Sequence, residues 1–553
     1  MTDQTSATTA APAGASSTDA GAGDGPDTVL VVGAGPVGLL AAAEIVRQGG
    51  RARVVETLTQ PTSQSRAAVV HARTQEHLAA LGVLGEIETR ALAQTALEIH
   101  AGRAATTRVR ITTDTLDSRY RRSLDLPQSD TEAVLGKRVE ELGIDVERGV
   151  TVTGLTQTPE AVEVSLTTPT GTQHCHVGWV IGADGGHSTV RSAVGTQIDG
   201  VFEGQNFILA DVATASDLSQ DTIRVFAHPD GMCVAMPMRG GRTRFIFLVD
   251  KPPAGSEPTH EQCQRIVDER MGGRWSLGEA FWLTYFEVHH GQVPRYRFDR
   301  VLLAGDAAHI HSPAGGQGMN TGLQDAANLA WKLALVSTGR AHPDLLDSYH
   351  EERHPVAAAV VRQTTILTDV MAGSGTADML RDLALFLLGH AHALGEKAMA
   401  GFAETGIGYP DSPIVARRGG HGHRVRPAGS HAPDPAGLRT PAGDEVWIGD
   451  LLRRPGHLLL AAGAGPELVE RLRGVLGGIG TVVAVVRTAD GAPTDALVDV
   501  GGLVTGRYGI GERGIALIRP DGYLGYLSTT ADEPELTAYL AGALHVTAAS
   551  PTG

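Results

Sequence analysis

The stretch that decides the fold is Thr28-Val-Leu-Val-Val-Gly33-Ala-Gly35-Pro-Val-Gly38, followed by Leu39–Gln48 and Arg51-Ala-Arg-Val-Val-Glu56. Four apolar residues in a row after Thr28, without polar alternation, are the pattern of a strand buried on both faces of a parallel sheet. The glycine turn follows at once. Leu39–Gln48 has helix composition and stops at Gly49-Gly50. A second strand then ends on an acid, Glu56, 18 residues after Gly38. GxGxxG alone is weak. Between a strand and a helix, with an acid after the next strand, it predicts a dinucleotide-binding βαβ unit. The glycines admit a pyrophosphate close to the backbone, and Glu56 can accept from a ribose hydroxyl.

Two more strand–acid–glycine units lie downstream. Trp179-Val-Ile181 leads into Gly182-Ala-Asp184-Gly185-Gly186, and Val301-Leu-Leu-Ala304 leads into Gly305-Asp306. After Asp306 comes a loop with little side-chain bulk, Pro313-Ala-Gly-Gly-Gln-Gly318. A helix is predicted from about Asn320, with Leu323, Ala326, Ala327, Ala330 and Leu333 on one face. A glycine loop running into a helix start aims backbone N–H groups and a positive helix end at an anion. Arg66, ten residues past Glu56, is a further candidate phosphate contact. Gln128, just ahead of a predicted helix Thr131–Leu142 with Asp130 as its N-cap, is a candidate nucleotide contact or a plain loop residue.

With 553 residues the chain is too long for one core. Its formal net charge of −16, without a dense Lys/Arg block, argues against nucleic acid and anionic membranes as partners. The three cysteines, Cys175, Cys233 and Cys263, are scattered and form no metal spacing, which suits a reduced, cytoplasmic setting and predicts no metal site. No apolar stretch reaches the roughly 18 residues of a membrane span. Residues 1–25, mostly Ala, Thr, Ser, Gly and Asp, lack the features of a signal peptide and read as a disordered tail.

The organisation expected is α/β throughout. A Rossmann-like nucleotide-binding domain is formed by residues 26–199 and 291–405. An antiparallel-sheet domain, residues 200–290, is inserted between its halves and is the natural wall for an apolar substrate. Strands are predicted at Ile208–Val212, Thr222–Ala227, Met232–Met236 and Thr243–Val249, with a helix at Glu261–Met271. Residues 97–126 mix β-prone and polar side chains and are expected to add strands near the substrate. Residues 380–394 read as helical. A Gly/Pro/His/Arg-rich linker, 406–435, precedes a small α/β domain, 436–553, expected to pack on the core or on another subunit.

Taken together, the three glycine motifs resemble the class A flavoprotein monooxygenases, the p-hydroxybenzoate hydroxylase family. Within it the chain is most similar to the branch that oxidises aromatic polyketides. The C-terminal part resembles the thioredoxin-like domain of phenol hydroxylases, although it has no cysteine. The resemblance covers about Asp27–Thr364. It implies FAD with its pyrophosphate at Gly33, Gly35, Pro36, Val37 and Gly38, and its adenosine ribose on Glu56. It places Arg66 and Gln128 near the phosphates and ribityl chain, with Arg66 also a candidate catalytic residue near the flavin. Asp184 is implied in FAD and NAD(P)H binding, and Asp306 in holding the ribityl hydroxyls. Pro313 and the backbone of Gly318, Met319 and Asn320 would cradle the ring.

The implied activity is reduction of FAD by NAD(P)H, with NADPH favoured and bound transiently. Addition of O2 at flavin C4a would follow, then transfer of one oxygen atom to a polycyclic aromatic polyketide in secondary metabolism. Baeyer–Villiger insertion into a similar substrate is the alternative. A FAD-dependent reductase or halogenase ranks lower, since no Trp-x-Trp-x-Ile-Pro stretch is present. A non-catalytic flavin scaffold is the remaining reading. His289, His290, Tyr296, His309 and His311 are candidate substrate-side bases. A homodimer is compatible with the sequence, which leaves open the substrate, the position oxidised and the oligomeric state.

Overall fold

The computed structural model describes residues 24–62, 67–101, 107–113, 116, 118–215, 219–273, 275–311, 316–372, 400–401, 403–419 and 426–547. Arg66, Pro313 and the expected helix 380–394 lie outside these residues.

The first sheet is built on strand Gly25–Val32, whose Val29, Leu30 and Val31 are fully buried. It pairs in parallel with Arg51–Glu56 on one side and with Gly171–Gly182 on the other. Gly171–Gly182 in turn pairs in parallel with Val301–Leu303. The glycine turn, Asp184 and Asp306 therefore follow three neighbouring parallel strands and emerge at one sheet edge. That is where α/β sheets hold ligands. A meander, Thr151–Gln157 and Val162–Thr168, extends Gly171–Gly182 antiparallel.

Helix Pro36–Arg47 follows the turn, with Pro36 in its first turn, where a missing N–H costs nothing. Gly49, at φ +87°, releases the chain beyond it. The helix expected from Thr131 starts three residues earlier, at Gln128, and Pro127 rather than Asp130 occupies the N-cap position. The fixed φ of Pro127 sets the turn, so Gln128 stands at a helix N-terminus instead of in a loop. The long helix runs Gly318–Ser337.

The second sheet has eight strands, in the order His309–Ile310, Ser276–Gln292, Asp199–Ala215, Arg242–Val249, Cys233–Met238, Thr222–Ala227, Ala96–Ala101, Thr107–Thr112. It is antiparallel except where Thr222–Ala227 meets Ala96–Ala101 in parallel. Residues 200–290 do not build it alone, because two strands come from before the insertion. Helix His260–Arg270 covers its outer face, packing Cys263, Ile266 and Val267 onto Phe245 and Phe247.

The third sheet lies in the C-terminal region. His457–Ala462, helix Pro466–Leu476 and Gly480–Val486 form a parallel βαβ unit. Ile515–Ile518 and Leu524–Ser528 form an antiparallel hairpin, followed by helix Glu533–Gly542. Strand Ala416–Arg418, within the expected linker, pairs in parallel with Leu524–Ser528. This region packs on the core of the same chain. Arg519 and Asp521 reach Glu352, Asn328 and Trp331 in a buried cluster.

Candidate active site

The glycine turn divides its labour. Gly33 has φ +105°, and a Cβ there would lie 2.4 Å from the carbonyl oxygen of Ala183. A Cβ on Gly38 would lie 2.0 Å from the carbonyl oxygen of Gly33. Both are fixed by packing within the chain. A Cβ on Gly35 would meet nothing within 4 Å. Packing therefore gives no reason for glycine at position 35, whereas close approach of a pyrophosphate to the backbone does. The turn fits a dinucleotide.

Glu56 reaches back over the turn. Its oxygens accept from the N–H groups of Ala34 (2.8 Å) and Leu58 (2.9 Å). Each oxygen keeps a lone pair for a ribose hydroxyl. Asp184 is bonded within the chain. Its carboxylate accepts from the Ser188 hydroxyl and from the N–H groups of Thr189 (2.7 Å) and Val190 (3.1 Å), capping helix Thr189–Ala193. Its neighbours Ala183 and Gly185 line the cavity described below.

Asp306 sits on a single 3-10 turn, Gly305–Ala307, between the third parallel strand and the long helix. Asn320 is fully buried. Its side chain accepts from the His71 N–H (2.9 Å) and donates to the carbonyls of Val69 (2.8 Å) and Gly316 (2.7 Å). The amide thus ties the start of the helix to Val69–His71 and leaves the backbone for any ligand. Among the described residues no side chain caps this helix start, and its first turn carries no acid, so its positive end stays available for an anion.

A cavity of about 380 Å³ opens in front of these elements. Gly35, Pro36, Val37, Gln128, Asp306, Gly318 and Met319 line one side. Gly33, Gly38, Glu56, Asp184 and Asn320 do not line this cavity. The other side is the second sheet. Leu97 and Ile99, Ile223 and Val225, Val234 and Met236, Phe286 and Val288 each face it from alternate positions of one strand. Ile246 and Met232 complete this wall, and Glu287 and His311 are its polar members.

Among the base candidates, His311 lines the cavity. Tyr296 is fully buried and donates to Gln292 Oε1 (3.1 Å), and burial raises its pKa well above the usual phenol value. His309 Nε2 meets Asp325 Oδ2 at 2.6 Å, and both are buried. His289 and His290 belong to strand Ser276–Gln292, and neither lines the cavity.

Sequence reasoning missed Asp325 and Arg244. Arg244 is buried and makes two 2.7 Å bonds to Asp211, then donates to the carbonyl of Ala67 (3.2 Å). It joins the second sheet to the backbone beside Arg66. An acid inside an otherwise apolar helix face was the available signal for Asp325. For Arg244 it was an Arg in the middle of an apolar strand.

Residues 27–364 match the family described as FAD binding domain. The chain belongs to the FAD-binding family of flavin-dependent monooxygenases. A 6-methylpretetramide 4-monooxygenase of Streptomyces rimosus is 32% identical over 544 residues, 95% of this chain and 94% of that protein. An anhydrotetracycline hydroxylase from Streptomyces rimosus superposes with a TM-score of 0.77 at 30% identity, covering 94% of this chain and 99% of that one. A Diels-Alderase in the biosynthetic pathway of pyrroindomycins superposes with a TM-score of 0.73 at 27% identity, over 94% and 100% of the two chains. This flavoprotein thus shares its fold over 94% of its length with a hydroxylase and with an enzyme named for a cycloaddition.

Proposed function

We propose that this monooxygenase hydroxylates a polycyclic aromatic polyketide of antibiotic-type metabolism, using FAD, NADPH and O2. The observation that carries the reading is the two-sided cavity, with open backbone and Asp306 on one side and a hydrocarbon wall on the other. A flat, largely apolar substrate buries well against Leu97, Ile223, Met236, Ile246, Phe286 and Val288, at about 25 cal/mol per Å² of apolar surface removed from water. The names of the two Streptomyces rimosus relatives support the same substrate class.

FAD, when bound, supplies electron storage and the activation of O2. The residues of the chain hold it. Gly35 would let the pyrophosphate approach, Glu56 would take the ribose, and Gln128 and Asp306 would take the ribityl chain. The backbone of Gly318–Asn320 would cradle the ring. The uncapped start of the long helix favours negative charge at the ring edge by about 1–2 kcal/mol in a buried setting. The apolar wall keeps water from the reacting atoms. The βαβ-then-hairpin order of the C-terminal region supports a thioredoxin-like domain, which without cysteine serves structure rather than thiol chemistry. Three dispersed cysteines and the absence of a long apolar helix among the described residues support action in the cytoplasm.

The test uses FAD-loaded protein with NADPH, 18O2 and a panel of tetracyclic and angucycline-type aromatics. Substrate-stimulated NADPH oxidation, with one 18O appearing as a hydroxyl, is expected. One 18O in a ring ester would convert the assignment to Baeyer–Villiger oxidation. No substrate-stimulated NADPH oxidation and no oxygenated product would replace it with a flavin-holding scaffold.

A further inference from the structure

The turn that presents Asp306 is closed from behind by one carboxylate. Asp325, on the second turn of the long helix, is fully buried. Its Oδ2 accepts from the Gly305 N–H (3.1 Å) and meets His309 Nε2 at 2.6 Å. Its Oδ1 accepts from Arg353 Nε (2.7 Å). Gly305 and His309 bracket Asp306 in sequence, so one side chain ties down both ends of the segment. The turn has little slack on its other sides. Gly305 adopts φ +59°, and a Cβ there would come within 2.9 Å of Val37. A Cβ on Gly322 would lie 3.1 Å from the Gly305 Cα.

Arg353 balances the charge of Asp325 and is itself held. It donates to the Tyr409 hydroxyl (3.0 Å) and the Thr321 carbonyl (3.0 Å). Burial alone would raise the pKa of Asp325, but Arg353 and His309 hold it below the usual value, so the carboxylate stays ionised.

We propose that Asp325 is a positioning residue for FAD retention, fixing the Gly305–His309 segment so that Asp306 meets the cofactor in one orientation. The proposal rests on the reading of Asp306 as a FAD contact. It goes beyond that reading in assigning the grip to a residue behind the site. A hydrogen bond to a charged group is worth about 10–100-fold in a binding constant. A carboxylate that served only to neutralise Arg353 would affect folding without acting through Asp306.

The experiment is a double-mutant cycle on FAD dissociation from the apoprotein, read by flavin fluorescence, with thermal unfolding of each apoprotein alongside. Asp306→Asn and Asp325→Asn are each expected to weaken FAD binding about 10-fold or more. In the double variant, Asp325→Asn is expected to add less than about threefold, because its target is already gone. Full additivity overturns the proposal. Unchanged affinity in Asp306→Asn alone overturns it too, and locates the failure in the reading of Asp306. Should Asp325→Asn fail to fold, His309→Gln breaks one end of the tie and leaves the Arg353 pair. It is expected to weaken FAD binding by a smaller factor, again without additivity with Asp306→Asn, and additivity there overturns the proposal equally.

Discussion

The two ends of helix Gly318–Ser337 are buried by opposite means. At its start the helix offers the cavity a glycine, Met319 and backbone N–H groups. Fourteen residues on, about 20 Å at 1.5 Å per residue, Lys332 enters a fully buried ionic cluster. Lys332 Nζ and Arg519 Nη2 meet Glu352 Oε2 at 2.9 and 2.8 Å, and Arg519 also pairs with Asp521. Asn328 donates to Glu352 (2.6 Å), and Trp331 Nε1 to Asp521 (3.3 Å). The cluster is neutral, with two cations against two anions, so each desolvated charge has its partner. The cavity end needs the reverse. A fixed side-chain charge there would compete with the charge of a bound cofactor, and a neutral surface leaves the helix dipole to act. Asp325, buried behind the start of the helix, is matched by Arg353. The helix separates a ligand end from a docking end, and the C-terminal domain is held by the second.

The largest effect expected from this contrast is at the docking end. Arg519→Gln removes the partner of two buried carboxylates and should cost about 3–5 kcal/mol of stability, measured by denaturant unfolding. The double variant Arg519→Gln/Glu352→Gln leaves Lys332 and Asp521 as a balanced residue of the cluster. It should be more stable than the single variant. If the double variant loses the sum of both changes, charge balance is not what holds this interface.

The next effect tests the neutrality of the first half of the helix. Glu404 is buried and accepts from Gln324 and Thr321. Burial pushes its pKa from 4.5 up to about 8, so the carboxyl stays protonated at neutral pH. The sign follows from proton counting. Between pH 4.5 and 8 the folded chain holds a proton that the unfolded chain releases, so unfolding releases protons and stability falls as pH rises. At about 1.4 kcal/mol per pH unit this contribution is lost progressively across the window, and Glu404→Gln should flatten it. A pH–stability curve unchanged by the substitution would mean that Glu404 is ionised in the folded protein.

The same contrast marks what was legible in the sequence. Strand Gly25–Val32, the glycine turn and the long helix announce themselves because their signals are local. They are an unbroken apolar run, a φ only glycine adopts at Gly33, and a helical repeat of Leu and Ala. The second sheet was legible only in part. Leu97 and Ile99 face the cavity while Glu98 and His100 face away, an alternation present in the sequence. Its partner strand, Thr222–Ala227, lies more than a hundred residues on, and nothing local names it. Site residues followed the same rule. Gly35 and Asp306 face the cavity, while Asp184, also an acid at a strand end, accepts from the N–H groups at a helix start. His309 was a plausible base until Asp325 supplied a partner 16 residues away. The docking end was illegible, since Arg519-Pro-Asp-Gly522 reads as an ordinary turn. Only its placement against Lys332 and Glu352 turns it into an interface.

The smallest effect separates packing from ligand within one motif. Gly38→Ala places a methyl 2.0 Å from the Gly33 carbonyl oxygen, which is backbone and has no room to yield. It should destabilise the apoprotein by about 1–3 kcal/mol, as overpacking does. Gly35→Ala places the same methyl in open space and should leave apoprotein stability within about 0.5 kcal/mol. Its cost should appear only on titration with FAD, as weaker binding, because the methyl then stands where the pyrophosphate approaches. Thermal unfolding of both apoproteins, followed by FAD titration, reads the two quantities separately. Equal losses of apoprotein stability would mean that Gly35 is held by the fold, and the argument that its side of the cavity was kept bare for a ligand would fail with it.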